Sequence, residues 1–192
     1  MPLPQRKEKY TYQDYCQWPD DERWELIGGV AYNMTPAPSF RHQTILINLG
    51  AIFRVALKGK TCVPGAAPTD VVLSEEDVVQ PDLFIVCDRQ KITEKNIQGA
   101  PDVIVEILSP STSKKDRWDK RALYEKFGVN EYLLVYPEGK YMERFLLGED
   151  GLFDHGQAFE EQDALQLKTV ADVEISLPDV FAMDFLDESD HR

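Results

Sequence analysis

Glu106 stands inside PDVIVEILSPST (101–112), flanked by Val103, Ile104, Val105, Ile107 and Leu108. An apolar run of this length reads as a buried strand, and an ionised carboxylate within it is costly unless it is paired or binds a metal. A sheet-edge position or an internal Lys or Arg would satisfy it; so would a shared ion. Asp82, in VVQPDLFIV, opens a second apolar strand. Neighbouring strands lie about 5 Å apart, so Asp82 and Glu106 on adjacent strands form an oxygen-rich site for a hard cation such as Mg²⁺. Two like charges that close repel, and an ion between them accounts for their coexistence. Asp102 opens the strand of Glu106 itself, but four residues along a strand is about 13 Å, too far to share that ion.

A cation can approach from the other direction. In KKDRWDKRALYEKFG (114–128), Asp116, Lys120, Tyr124 and Phe127 share one helical stripe. A helix entered from the strand end packs back over the sheet and can lower the ammonium of Lys120 toward the carboxylates; taken alone, Lys120 is as readily a solvated surface charge. Other polar residues have weaker claims. Asp70, on the strand before Asp82, is either a supporting acid or a structural strand-end acid. His42 opens a long helix, where a surface or capping role is the expectation. Asp116 would position Lys120 or cap its helix. Ser109 to Thr112 have no histidine nearby in sequence, which disfavours acyl-transfer chemistry.

The elements that must hold these residues are legible in outline. Thr11 caps a short helix, Thr11–Trp18, ended by Pro19. Gly28-Gly29 between short apolar runs is a two-residue hairpin signal. Ser39 caps a helix from Phe40 to Leu57, on which Ile45, Leu46, Leu49, Ile52, Phe53 and Ala56 recur at helical spacing. Strands are expected at Cys62–Pro64, Thr69–Leu73, Asp82–Cys87 and Asp102–Leu108, with a short helix at Ile92–Gln98. An amphipathic helix follows over Arg117–Phe127, with Gly128 in a C-cap position. EYLLVYP, YMERFLL and GLFDHGQAF complete the strands. The pattern predicts a mixed α/β domain over residues 1–185, with a central mixed sheet covered by the two main helices, a C-terminal β-hairpin extension, and an acidic tail over 186–192.

Composition narrows the setting. The 192-residue chain is 43% hydrophobic and 29% charged, ordinary for a globular protein. No apolar stretch approaches the roughly 18–20 residues that span a bilayer, and no apolar segment follows the basic N-terminus as in a signal peptide. Cys16, Cys62 and Cys87 show no paired spacing, which argues against a disulfide framework or a zinc site and for a reducing, cytoplasmic setting. The formal charge of −13 disfavours a nucleic-acid partner for the surface as a whole. A local basic strip of Lys114, Lys115, Arg117, Lys120, Arg121 and Lys126 can nonetheless coexist with it.

ERWELIGGVAYNMTPAPSFRHQ, VVQPDLFIV and GAPDVIVEILSPSTSKKDRWDKRALYEKFGVNEYLLVYP resemble a bacterial restriction-endonuclease family of the PD-(D/E)XK nuclease superfamily, over about Thr11 to Leu147. The resemblance implies the restriction-endonuclease-like fold and a Mg²⁺-dependent endonuclease acting on double-stranded DNA, with Mn²⁺ as a substitute ion and a homodimer as the assembly. Asp82 matches the Pro-Asp aspartate and Glu106 the acid of the second motif half. Both would ligate metal, joined by the main-chain carbonyl of Ile107. Glu25, in WELIGG, matches the glutamate that completes the metal shell, or is a surface charge on a hairpin. The sequence departs from the motif at Leu108, where lysine is expected on the face that Glu106 occupies. Lys120 is the best match for a lysine displaced to the following helix. Without it the chain would be an inactive nucleic-acid- or protein-binding module on the same fold.

Overall fold

The computed structural model describes residues 9–19, 22–34, 37–109 and 119–183. The expected tail over 186–192 lies outside them, as do Lys114, Lys115, Asp116 and Arg117.

A six-stranded mixed sheet forms the centre. Its strands run in the order β11 (Gln157–Phe159), β10 (Tyr141–Leu146), β9 (Glu131–Tyr136), β8 (Val103–Ile107), β6 (Leu83–Val86) and β3 (Val63–Ala66). All neighbours are antiparallel except β8 and β9, which are parallel. A parallel pair needs a crossover, and the connection carrying α3 (Arg121–Lys126) supplies it. A second sheet has the order β2 (Val30–Asn33), β1 (Trp24–Ile27), β5 (Asp77–Val79), β4 (Asp70–Ser74) and β7 (Asn96–Gln98).

Side-chain alternation gives the central sheet two apolar faces. Odd-numbered Leu83, Ile85, Val103, Val105 and Ile107 pack with Ile45, Leu49 and Phe53 of α2 (Phe40–Ala56). The hairpin of β12 (Ala164–Gln166) and β13 (Glu174–Ser176), with α4 (Leu177–Phe181), closes the same core. Even-numbered Phe84, Val86, Ile104 and Leu108 pack with Leu123 and Tyr124 of α3 and with Val71 and Val79 of the second sheet. Each fully buried aliphatic side chain contributes about 1.5–3 kcal/mol through removal from water. Gly65, paired with Phe84, has no side chain for a reason: a Cβ there would lie 2.3 Å from the Phe84 ring.

The mixed sheet, the long α2 and the helix between β8 and β9 agree with expectation, whereas the β12–β13 hairpin is an addition to it. The short α1 (Tyr12–Tyr15) is capped by Thr11. Gly28 and Gly29 take positive φ values of 57° and 80°, as the tight β1–β2 turn requires.

Three readings need correction. Ile92–Gln98 is not a helix; a 3₁₀ turn at Arg89–Lys91 precedes it and β7 ends it, because Ile97 is drawn into the core by pairing with Val71 of β4. The strand expected over GLFDHGQAF reduces to an isolated bridge at Phe153 and β11. Cys62 and Cys87 form a disulfide, since the β3–β6 register that pairs Val63 with Val86 brings the next residues outward together. The cysteines therefore do not point to a reducing compartment. Among the described residues no helix is long and apolar enough to cross a membrane.

Candidate active site

β6 and β8 pair Leu83 with Val105, Phe84 with Ile104 and Ile85 with Val103. One residue further along each strand stand Asp82 and Glu106, directly opposed at the end of the ladder. Continuing the antiparallel register by one residue places the two acids on neighbouring strands, which lie about 5 Å apart. Asp82 is fixed to the partner strand by its own carboxylate, whose Oδ2 accepts from the Ile107 N–H at 2.7 Å. Asp102, by contrast, accepts from the Cys87 N–H at the other end of β8.

Behind this pair lies a buried cluster. Glu25, Glu106 and Lys120 are 5%, 5% and 4% exposed. Lys120 Nζ stands between the two glutamates, 3.0 Å from Glu106 Oε1 and 2.8 Å from Glu25 Oε1. Charges removed from water need such partners. The Tyr124 hydroxyl donates to Glu106 Oε1 at 2.6 Å. Burial, then the neighbouring Glu106 charge, pushes the Tyr124 phenol well above its ordinary range, so it stays a neutral donor.

Lys120 and Tyr124 meet the same oxygen because they lie four residues apart, one turn of a helix. Residues 119 and 120 form a π-type turn leading into α3. Leu108 lies in the apolar cluster on this face, so alternation places it on the side of Glu106 as expected, and no ammonium enters from β8.

Glu25 has a supporting network of its own. Its Oε1 accepts from the Gln80 N–H at 3.0 Å. The Gln80 side chain accepts from Arg23 Nε and donates to Asp70 Oδ1, which also accepts from the Tyr15 hydroxyl. Burial and the Asp70 carboxylate raise the Tyr15 phenol. Asp70 thus stands one residue removed from Glu25, as a supporting acid.

His42 departs from the surface role expected of it. It is buried on the first turn of α2, where Ser39 Oγ accepts from its backbone N–H. Its Nε2 lies 3.2 Å from Asp82 Oδ2. Nothing local in the sequence links His42 to Asp82; a histidine at an otherwise apolar helical position was the only signal. Tyr124 was visible only as a stripe neighbour of Lys120, and Gln80 had no signal beyond its place two residues before Asp82. Arg121 stacks over Phe145 and donates to the Asp154 carbonyl. Exposed His155 adds nothing to the cluster.

The donor set bears on a metal. Asp82, Glu106 and Glu25 against Lys120 leave a formal charge of three minus one, a deficit that one divalent cation balances. Among the described residues, no three His, Cys, Asp or Glu side chains form a ready-made cage, and Lys120 already occupies the space between Glu25 and Glu106. The pair left opposed is Asp82 and Glu106. Mg²⁺ keeps several waters and is commonly held by one or two carboxylates plus substrate phosphates, so these residues fit such an ion.

A mixed central sheet with opposed strand-end acids and a lysine from the crossover helix defines a restriction-endonuclease-like protein. The match to known proteins makes the family specific: the chain belongs to the Uma2 family, described as "Putative restriction endonuclease", whose model matches residues 12–179. An uncharacterized protein of Synechocystis sp. (strain ATCC 27184 / PCC 6803 / Kazusa) is 29% identical over 168 residues, covering 84% of this chain and 86% of the relative. A crystal structure from Anabaena variabilis ATCC 29413, of "a putative nuclease belonging to DUF820", superposes with a TM-score of 0.74 at 18% identity, over 89% of this chain and 97% of that one. That likeness speaks to the fold.

Proposed function

We propose that the protein is a metal-dependent endonuclease that hydrolyses phosphodiester bonds in double-stranded DNA, with the site lysine supplied by the crossover helix instead of by β8. The observation that carries this reading is the position of Lys120, buried 3.0 Å from Glu106 where strand β8 offers only Leu108.

In this reading Asp82 and Glu106 would hold Mg²⁺, or Mn²⁺ in its place, with the Ile107 carbonyl as a further ligand, while Glu25 would hold Lys120 beside them. The bound ion would supply Lewis-acid charge relief at the phosphoryl oxygens and a water of lowered pKa. Lys120 holds an ammonium beside the carboxylates, where it orients the attacking water or neutralises charge that develops in the transition state. Tyr124 fixes the rotamer of Glu106 by donating to Oε1. The basic strip that includes Lys114, Lys115, Arg117 and Arg121 gives sequence-independent phosphate contacts in a chain that is acidic elsewhere.

The reading includes a homodimer. Helix α2 contains no acid, in a chain of formal charge −13, and turns Phe40, Ile47 and Val55 outward. Sedimentation equilibrium is expected to give twice the 22.0 kDa chain mass; a monomer at all concentrations would remove this part alone.

The second reading, an inactive binding module, is favoured by Leu108 and by the engagement of Lys120 with both glutamates. Incubation with supercoiled plasmid, single-stranded DNA and RNA, in Mg²⁺, Mn²⁺ or chelator, separates the two. The nuclease reading expects nicked or linear plasmid that disappears with chelator. Plasmid that is retarded in a gel yet intact under every metal would support the module.

A further inference from the structure

Asp82 Oδ2 has two neighbours, the Ile107 N–H at 2.7 Å and His42 Nε2 at 3.2 Å. The first comes from the strand carrying Glu106 and the second from the opposite side, where α2 packs on the sheet. Both contacts fall on one carboxylate oxygen, Oδ2.

His42 itself is oddly placed for a packing residue. Its side chain is 9% exposed, and Nδ1 is buried with no hydrogen-bond partner among the described residues. Burying an unsatisfied polar atom carries a penalty that an aliphatic side chain of similar size would avoid. Nε2 faces an acceptor, whereas Nδ1 is left without a partner among the described residues. Neighbouring Ile45, Leu49 and Phe53 on the inward stripe of α2 show that apolar side chains are otherwise used there. The imidazole is therefore retained against a penalty, and Asp82 is what it touches.

We propose that His42 is a positioning residue that orients the Asp82 carboxylate for cation binding, an inference that rests on the metal-dependent reading above. Groups behind metal ligands commonly change metal affinity by about 10–100-fold when removed. Glutamine places an amide nitrogen near the imidazole Nε2 position, whereas asparagine is shorter and reaches only the Nδ1 position. The variants His42→Gln, His42→Asn and His42→Leu thus distinguish a hydrogen bond to Asp82 from simple filling of space.

The test is Mn²⁺ binding to the intact protein without nucleic acid, by titration calorimetry and electron paramagnetic resonance, with thermal melts on each sample. His42→Leu and His42→Asn are expected to weaken Mn²⁺ roughly tenfold or more, and His42→Gln to stay within about threefold of wild type. The cleavage lost in His42→Leu should return as Mn²⁺ is raised, which a folding defect would not allow. Should His42→Leu not fold, the Gln and Asn pair decides alone. Equal Mn²⁺ affinity in wild type and the folded variants, with binding lost in Asp82→Asn, overturns the His42 role and leaves the nuclease reading intact. No Mn²⁺ binding by wild type at all overturns both.

Discussion

Lys120 reaches Glu106 from 14 positions further along the chain, with Nζ 3.0 Å from Oε1 in a site closed to solvent. The same ammonium meets Glu25 of the second sheet. One side chain on the crossover helix therefore ties both sheets together at the point where the opposed acids lie. Removing it would leave buried carboxylates without their counter-charge.

Lys120→Met is accordingly expected to destabilise the protein by about 3–5 kcal/mol in chelator, the range for breaking a buried ion pair from one side. Added Mg²⁺ should recover part of that loss by mass action, since a cation then faces Glu106. Urea unfolding with and without Mg²⁺ measures both. A variant as stable as wild type in chelator would mean that the carboxylates do not depend on Lys120.

The position of the ammonium, and not its helix of origin, should matter. Lys120→Met is expected to lower cleavage about 100-fold or more, as for loss of a group that stabilises transition-state charge. Leu108 faces the same side as Glu106, so Leu108→Lys combined with Lys120→Met should recover at least about tenfold over the single variant. A double variant no better than the single one, with both folded, would tie the function to the α3 geometry.

Tyr124 gives a pH signature. Its folded phenol is raised by burial and by Glu106, while the unfolded phenol ionises near its ordinary value of about 10. A raised folded pKa contributes stability that is fully present below about pH 10 and is lost as pH rises beyond it. Each pH unit in that window removes up to about 1.4 kcal/mol per such tyrosine. Tyr15 is raised as well, so Tyr124→Phe should flatten the alkaline decline without abolishing it. Stability curves between pH 9 and 11 read the difference; parallel curves would show that Tyr124 ionises freely in the fold.

The disulfide closes a sequence separation of 25 residues. Loop-closure entropy for that length gives about 3.5 kcal/mol of stabilisation. Thiol titration of the denatured protein should find Cys16 alone before reduction and all three cysteines after it. Cys62→Ser with Cys87→Ser should lower the urea midpoint correspondingly. Three reactive thiols before reduction would contradict the bond.

Glu106 and Asp82 were legible because a carboxylate disturbs an apolar run, and that disturbance is local. Lys120 was legible through helical spacing, and the place of Leu108 followed from strand alternation. His42, Gln80 and the Cys62–Cys87 bond were not. Each depends on a partner whose position is set by sheet register or by the packing of α2, and no short window of sequence records that. The same holds for β7, β12 and β13. Their three-residue strands are too short to show a period, and tertiary pairing alone makes them strands.

The most direct test of the account is cleavage of supercoiled plasmid in Mg²⁺ or Mn²⁺ by wild type beside Glu106→Gln and Lys120→Ala. Nicking or linearisation by wild type, abolished by Glu106→Gln and strongly reduced by Lys120→Ala, is the predicted result. Cleavage that persists in Glu106→Gln would contradict the site, because the acid at its centre would then be unnecessary.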